Sequence, residues 1–383
     1  MSFEVFSKQS AADALEKACE QVRLNLPLYT YQCQNHSSVD GLYPGCPNNQ
    51  WTTGFWPGEI WLAYEFSGEA RYLDAASILV QSFLKRIEEK IEVDHHDMGF
   101  LYSPSCVSAW KLSGNEDARR AAILAARQLC SRFHEKGAFI QAWGPLGAPE
   151  NYRFIIDCLL NLPLLYWASE ETGDPYFASI ADRHAATTLK YSFREDGSSH
   201  HTFYMDPASG KPLYGRTCQG YSDESFWARG QAWAVYGAAL GYSYTKEEKY
   251  IEVFKRSLDF YLSRLPEDLV PYWDMIFTAE DEEPRDSSSA AIVACGLLEA
   301  ARRFGDEKEK AAWKKLAARM LQSLYEDYST PEAAPGKGQI LHGTYSKKSP
   351  YNTCTPEGVD EYTAWGDYFY MEALSRYLRP ERT

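Results

Sequence analysis

The sequence lacks any run of roughly eighteen uncharged apolar residues, so no segment predicts a membrane-spanning helix. Its first residues, MSFEVFSKQSAADALEKACEQ, show no basic start followed by an apolar run and a cleavage site, so we expect a cytoplasmic protein. Positive charge is also scarce, because 39 Lys and Arg residues face 53 Asp and Glu residues, for a net charge of −14. We therefore expect no nucleic-acid partner and no membrane partner, and an anionic substrate would need local positive groups.

Paired cysteine motifs are absent as well. The nine cysteines are scattered without any C-x-x-C pair, which argues against a disulfide framework and against a zinc ribbon. We expect most of them to be buried thiols. Aromatic residues, in contrast, are abundant at 15%, with 11 Trp and 27 Tyr. Their rings could pack in a large helical core or stack on the faces of sugars.

Helical periodicity runs through most of the chain and predicts an all-α protein with about twelve helical segments. Turns such as "FSGEARYLDAA" and "ETGDPYFASIA" end one helix at a glycine and restart the next one at an acidic residue. The turn glycines are Gly68, Gly114, Gly173 and Gly305, and Lys246 marks a glycine-free turn. Six such hairpins closing on themselves predict an (α/α)6 barrel that spans residues 1–383 as a single domain. The aromatic last helix, "DEYTAWGDYFYMEALSRYL", favours closure over an open solenoid.

The long connections precede the helices that end at these turns, so we expect those helices to be the inner ones. The connections are "PGCPNNQWTTGFWPGEI", "IEVDHHDMGFL", "GPLGAPENYRFIID", "GRTCQGYSDESFWARGQAW", "WDMIFTAEDEEPRDSSSA" and "GTYSKKSPYNTCTPEGVDEYTAW". All six would open onto one end of the barrel, which is the candidate site. The N-termini of the inner helices point to the same end and favour an anionic ligand group such as a carboxylate.

Two acids lie at the starts of predicted inner helices and could project into the same funnel. Asp157, in "FIIDCLLNL", is surrounded by apolar residues, and desolvation there would raise its pKa and keep it protonated near neutrality. It is the best candidate for a general acid. Asp97 is the second candidate. Either acid could instead simply cap its helix.

The segment "DHHDMGF" could also hold a metal, but adjacent loop side chains seldom converge on one ion. We therefore predict no metal and no cofactor. His96 beside Asp97 is better interpreted as a polar pair in a sugar pocket, and we expect Asp94 and His95 to lie at the surface.

The segment "SFWARGQAWAVYG" places Trp227, Arg229 and Trp233 in the first turns of another inner helix. Arg229 could bind a carboxylate while the tryptophans stack on a ring, or the tryptophans could be core residues and Arg229 could form an internal salt bridge. Further candidates in loops at the same end are Trp51, Trp143, His200, His201 and Gln219.

Four of these motifs, "WTTGFWPGEIWLAYE", "HHDMGFL", "YRFIIDCLLNLPLLYWA" and "SFWARGQAWAVYG", resemble the unsaturated glucuronyl hydrolases of glycoside hydrolase family 88, in order and over most of the chain. The resemblance implies an (α/α)6 barrel that needs no metal. It also implies removal of 4-deoxy-hex-4-enuronic acid from the unsaturated disaccharides or short oligosaccharides that polysaccharide lyases release from glycosaminoglycans.

The reaction that the resemblance implies is hydration of a vinyl ether. Asp157 would protonate C4 and then activate the water that adds at C5, and Asp97 would hold sugar hydroxyls and tune Asp157. The residues that would line the sugar site are His96, His201, Gln219, Arg229 and Trp233, with Trp51, Trp143 and Trp227 as its walls. In "HGTYSKKS", Ser346 and Lys348 resemble a sulfate-binding motif, although Gly343 replaces a further serine and the lysines could simply be solvated.

Three alternatives remain at this point. An unsaturated rhamnogalacturonyl hydrolase would share the barrel and the reaction but act on pectin fragments. An N-acylglucosamine 2-epimerase would use a similar barrel with histidine acid/base pairs. A non-catalytic sugar-binding protein would keep the aromatic funnel but would have little use for a desolvated Asp157.

Overall fold

The computed structural model describes residues 6–381, and helices dominate it. In chain order these are α1 (Lys8–Tyr29), α2 (Phe55–Ser67), α3 (Ala70–Glu88), α4 (Met98–Tyr102), α5 (Ser108–Ser113), α6 (Glu116–Cys130), α7 (Cys158–Asn161), α8 (Pro163–Thr172), α9 (Pro175–Tyr191), α10 (Ala228–Thr245), α11 (Lys249–Ser263), α12 (Ser287–Arg303), α13 (Glu307–Ser323) and α14 (Ala364–Leu378). A π-helical segment, Ser103–Val107, joins α4 to α5, and another, Leu324–Tyr328, follows α13. With α4–α5 and α7–α8 each counted as one interrupted helix, twelve helical runs cover residues 6–381.

Alternate runs form a closed inner ring. α2 packs on α4–α5, α4 on α7, α7 on α10, α10 on α12, α12 on α14, and α14 back on α2. The outer helices cover this ring, and the first of them, α1, packs on α14 and α2. Inner helices such as α10 are buried almost all round, whereas outer helices such as α3 bury one face. The predicted all-α, (α/α)6-barrel architecture is confirmed.

The inner helices end at the glycines of the short turns, as the sequence pattern predicts. Gly68, Gly114 and Gly173 follow α2, α5 and α8 with φ of 71°, 68° and 73°, a left-handed conformation that costs glycine little because it has no Cβ. Lys246 adopts the same conformation after α10, with φ of 61°. Asn115 then caps α6 by accepting the backbone N–H of Ala118.

Short antiparallel strands lie in the long connections, where the sequence predicted no strands. They are β1 (Cys33–Gln34), β2 (Gly45–Cys46), β3 (Phe133–His134), β4 (Phe139–Ile140), β5 (Arg153–Ile155), β6 (Thr202–Met205), β7 (Pro212–Arg216), β8 (Gly343–Ser346) and β9 (Glu357–Glu361). β5, β6 and β7 form one sheet in which Ile155 faces Thr202. This sheet ties the connection before α7 to the connection before α10.

Most buried apolar side chains belong to one continuous cluster around the helices. A small second cluster, which includes Phe154 and Phe203, lies against the three-stranded sheet. The single domain over residues 1–383 stays a prediction. Across residues 6–381, no helix combines the length and the apolar character that a bilayer crossing requires.

Candidate active site

Asp97 and Asp157 stand at the N-cap positions of α4 and α7, yet neither side chain accepts a hydrogen bond from its own helix. Helix capping, the alternative role for both acids, is therefore not what these carboxyls do. The two helix starts come together because Gly99 has no side chain. A Cβ on Gly99 would lie 2.3 Å from the Cα of Asn161, so the backbones of α4 and α7 can approach only at a glycine.

Asp157 is the less deeply buried of the two carboxyls. Its side chain keeps 13% of its surface exposed, and its Oδ1 is buried without a hydrogen-bond partner. Burial raises the pKa of Asp157 well above its ordinary value, and the nearby charge of Asp97 raises it further, while Arg229 opposes the shift. Asp157 can therefore hold a proton at neutral pH and release it to a bound molecule.

Asp97 has the opposite character. Its side chain is 1% exposed, and its Oδ2 lies 3.1 Å from Nδ1 of His95. Burial acts to raise the pKa of Asp97. The attraction of His96 and the hydrogen bond from His95 outweigh this effect, so the pKa of Asp97 lies below its ordinary value. A hydrogen bond from Asn161 adds to this lowering, so Asp97 is ionised at neutral pH.

His96 lies between the two carboxyls. Its Nε2 is 3.4 Å from Oδ1 of Asp97 and 3.4 Å from Oδ1 of Asp157, which is too long for a strong hydrogen bond. Burial lowers the pKa of His96 to about 4, so the ring is neutral near pH 7. One ligand atom from each of these three residues lies within 4.8 Å of the others, a spacing that a divalent cation could also bridge.

The other two residues of the "DHHD" segment, Asp94 and His95, differ in their exposure to solvent. Asp94 is exposed, as expected, and pairs with Arg132. The expectation that His95 lies at the surface is wrong, because His95 is 6% exposed. Its ring stacks on Trp143 with centroids 5.0 Å apart, which places the half-buried Trp143 beside the carboxyls as one wall of the site.

Arg229 is held by internal partners. Its guanidinium donates to Asp286 at 3.0 Å and to the backbone oxygens of Thr344 and Tyr345 at 2.7 and 2.6 Å. The side chain is 1% exposed and lies between the rings of Trp227 and Trp365, at 4.6 and 4.7 Å from their centroids. The internal salt bridge that the sequence left open is therefore present, and Arg229 acts on the site mainly as a fixed positive charge.

His201, Gln219 and Trp227 gather around Arg229. His201 Nδ1 accepts the backbone N–H groups of Cys218 and Gln219 at 3.0 and 3.1 Å, so the neutral ring carries its hydrogen on Nε2. Burial lowers the pKa of His201 to about 3, which keeps the ring neutral. The ring lies 4.1 Å from that of Trp227, and Gln219 Oε1 is 3.5 Å from the Arg229 guanidinium.

The remaining tryptophans fall into two groups. Trp51 is half-buried, stacks on Trp365 at 5.4 Å, and donates from Nε1 to the hydroxyl of Tyr345 at 3.1 Å. Trp233 is 1% exposed and packs against Phe100 and Phe369, which is the core alternative for this residue. Its ring therefore has almost no free face on which a sugar could stack.

The two predicted sulfate-binding residues are already engaged within the chain. Ser346, at the end of β8, is 4% exposed and donates to the backbone oxygen of Thr355 at 2.5 Å. Lys348 is exposed, and its ammonium donates to the backbone oxygen of Asn352 at 2.6 Å. His200, a further loop candidate, has its Nδ1 buried without a partner beside Gly215.

Sequence reasoning missed four residues of this site: Asn161, Asp286, Tyr345 and Trp365. Asn161 could have been found, because it lies four residues after Asp157 and so on the same face of a helix. Tyr345 stands directly before Ser346 in a segment that was already a candidate. No local signal in the sequence pairs Asp286 with Arg229, 57 residues away.

Comparisons with known proteins agree with this geometry. The family model described as Glycosyl Hydrolase Family 88 matches residues 30–379. An unsaturated chondroitin disaccharide hydrolase of Streptococcus pneumoniae is 44% identical over 376 residues, which cover 98% of this chain and 93% of that protein. The crystal structure of an unsaturated glucuronyl hydrolase from Streptococcus agalactiae superposes with a TM-score of 0.95 at 43% identity, over 99% of this chain and 94% of that one.

An Asp-to-Asn mutant of the S. agalactiae protein was solved in complex with dGlcA-GalNAc6S. It superposes with a TM-score of 0.87 at 39% identity and covers 100% of this chain and 94% of that one.

Proposed function

The chain belongs to glycosyl hydrolase family 88 and is a glycoside hydrolase of the unsaturated glucuronyl type, and from this premise we propose its substrates. They are unsaturated disaccharides or short oligosaccharides left by lyases acting on glycosaminoglycans such as chondroitin or hyaluronan. The name of the S. pneumoniae relative and the ligand of the S. agalactiae mutant support this substrate class. The reaction releases 4-deoxy-hex-4-enuronic acid.

The single observation that carries the proposed mechanism is the partly exposed carboxyl of Asp157, whose pKa burial raises well above its ordinary value. We propose that it donates its proton to C4 of the C4=C5 bond, which leaves a cation stabilised by the ring oxygen. The resulting carboxylate then takes a proton from the water that adds at C5. The hemiketal formed in this way opens and releases the rest of the sugar.

The other residues have supporting roles in this proposal. Asp97, held ionised, binds sugar hydroxyls and keeps the pKa of Asp157 high through its charge. His96 lines the sugar site between the two carboxyls. Arg229 supplies a fixed positive charge that attracts the uronic carboxylate, and its ion pair with Asp286 stays intact.

The sugar site is a concavity, here called the cup, whose walls are formed by His201, Gln219 and the surrounding tryptophans. His201 offers its Nε2–H, and Gln219 lies beside it. Trp51, Trp143 and Trp227 form the aromatic walls of the cup, whereas Trp233 packs on Phe100, which in turn contacts Trp51. We propose that Ser346 and Lys348 lie near a sulfate of the neighbouring sugar, where Lys348 would exchange its contact with Asn352 for that group.

The test is the loss of the ultraviolet absorbance of the conjugated double bond. Purified protein should bleach unsaturated chondroitin or hyaluronan disaccharides, because hydration removes the C4=C5 bond. Unsaturated rhamnogalacturonan disaccharides and N-acylglucosamine serve as the comparison substrates. Bleaching of the pectin fragment alone, or epimerisation without bleaching, would contradict the proposed substrate class.

Metal should not be needed. A metal ligand must be deprotonated, and the raised pKa of Asp157 opposes that at neutral pH. Dialysis against EDTA should therefore leave the bleaching rate unchanged. A rate that falls and returns with a divalent cation would instead make His96, Asp97 and Asp157 a metal site.

The cytoplasm is the proposed location. All nine cysteines are free thiols, a state that a reducing compartment maintains.

A further inference from the structure

Two free cysteines meet at the rim of the cup. The backbone N–H of Cys354 donates to the backbone oxygen of Cys218 at 3.2 Å, although 136 residues separate them along the chain. Both side chains are half-buried, whereas the other seven cysteines are buried. This is therefore the most accessible pair of thiols on the chain.

The separation of the two residues suits a disulfide. The hydrogen bond from Cys354 to Cys218 brings the two backbones into direct contact. Disulfides span Cα separations of about 4.4 to 6.8 Å. Burial raises the pKa of Cys354, and the proximity of Cys218 raises it further, as expected for neighbouring thiols.

Each cysteine belongs to a segment that shapes the site. The backbone N–H of Cys218 is one of the two that hold His201. Cys354 lies eight residues after Ser346, in a segment that also carries Lys348. That segment packs on the Cys218 loop through Ser349, which donates to Tyr221, and through Asn352, which donates to Gly220.

We propose that Cys218 and Cys354 are a modification site, at which a peroxide or a small disulfide oxidises two thiols to one disulfide. With hydrogen peroxide, one thiolate attacks an oxygen and becomes a sulfenic acid as the first water is released. The second thiol then attacks that sulfur, the S–S bond forms, and the second water leaves. The two thiols lose two electrons in total, and one peroxide gains them. The bond fixes residues 346–355 against the His201 side of the cup.

A second cysteine pair provides an internal control. Cys33 and Cys46 face each other directly in the β1–β2 ladder. They are only 1% and 9% exposed, so an oxidant reaches them poorly. The backbones of both pairs are in contact, and the accessibility of the thiols differs.

Peptide mapping after mild peroxide treatment tests the site. Trypsin should yield peptide 217–229 linked to peptide 349–376, and the link should disappear with dithiothreitol and in Cys354→Ser. Cys33→Ser should leave it intact. Both control cysteines lie in peptide 24–71, which should show no internal disulfide at the same exposure. Over-oxidised single thiols without the link, or equally fast oxidation of peptide 24–71, would overturn the proposal.

The effect on the site rests on the proposed function and has its own readout. Oxidation should lower the kcat/KM for a 6-sulfated disaccharide relative to the unsulfated one by about threefold, the scale of the single exposed ion pair that Lys348 would form with the sulfate. Reductant should restore the ratio, and Cys354→Ser should not respond. If the disulfide forms and the ratio stays constant, the fixed segment is irrelevant to the site. If reduced protein bleaches nothing, the proposed function fails while the disulfide stands.

Discussion

Two pairs of buried carboxyls lie on the inner ring, and they differ in what surrounds them. At the mouth, Asp97 and Asp157 begin α4 and α7. Inside the wall, Glu59 of α2 and Asp367 of α14 meet where the last inner helix closes on the first. In both pairs, burial and a like charge raise the pKa of one member, Asp157 or Glu59, well above its ordinary value.

The wall pair is sealed, and its hydrogen bonds are concentrated on Asp367, because Oε1 of Glu59 is buried without a hydrogen-bond partner among the described residues. Glu59 and Asp367 are 2% and 1% exposed. Asp367 accepts the backbone N–H groups of Gln339 and Ile340 at 2.8 and 3.1 Å and the hydroxyl of Tyr43 at 2.9 Å. Burial still raises the pKa of Asp367 to about 7. No substrate can reach this pair without opening the ring.

The difference teaches that a raised carboxyl pKa does not by itself identify a catalytic acid. Asp157 differs from Glu59 because it keeps an exposed fraction of 13% and faces the aromatic cup. Desolvation raises the pKa in both pairs, so either pair can hold a proton. Only the pair that a substrate can reach is able to transfer that proton.

The largest expected effect is the loss of catalysis in Asp157→Asn. Asparagine keeps the shape but cannot donate the proton, so the bleaching rate should fall by about a thousandfold. The rate should be measured at saturating substrate, with the melting temperature as the folding control. A variant that folds normally and bleaches at the parent rate would remove Asp157 from the mechanism.

Asp97→Asn should come second, with a loss on the order of a hundredfold and a shifted pH profile. The charge of Asp97 raises the pKa of Asp157, so its removal lets Asp157 ionise at lower pH. Because the protonated form is the active one, the alkaline limb of the profile should move to lower pH. Asp94→Asn, on the same loop but exposed, is the matched control and should change the rate less than about twofold.

If the alkaline limb of the pH profile stays in place in Asp97→Asn, the two carboxyls act independently. A limb that moves equally in Asp94→Asn would point to a general effect of the loop.

The smallest expected effect concerns the wall pair and appears in stability alone. The folded chain binds the protons of Glu59 and Asp367 more tightly than the unfolded chain does, so stability should fall as pH rises through about 7. Glu59→Gln removes the like charge and should reduce this alkaline loss by about 1 kcal/mol. Urea unfolding at pH 6 and pH 9 measures the difference.

The exposed Glu307→Gln is the control for this experiment, and it should follow the parent protein at both pH values. The bleaching rate of Glu59→Gln at neutral pH should equal that of the parent. A large loss of activity would mean that the wall pair is coupled to the mouth pair.

Much of this architecture follows from local sequence. The glycine turns and the helical periodicity predict the hairpins, and the placement of the long connections predicts which end carries the site. Asp157 could be singled out because its apolar neighbours are adjacent in sequence. The contacts that determine its partners could not, because Gly99 meets Asn161 and Arg229 meets Asp286 only after the ring has closed.

Burial explains what the sequence could not decide. His95 was expected at the surface, and Trp233 could be a wall or a core residue, because the exposure of both depends on elements that are distant in sequence. The wall pair could not be predicted for the same reason, because Glu59 and Asp367 are 308 positions apart.

The stacking of Trp51 on Trp365 also constrains how the protein is made. Trp51 precedes the first inner helix and Trp365 belongs to the last, so one side of the cup exists only after α14 has been synthesised. A product that stops before Ala364 would contain both mouth carboxyls and five of the six inner runs but no finished sugar pocket. Catalysis therefore depends on the inner helix that is synthesised after the other five.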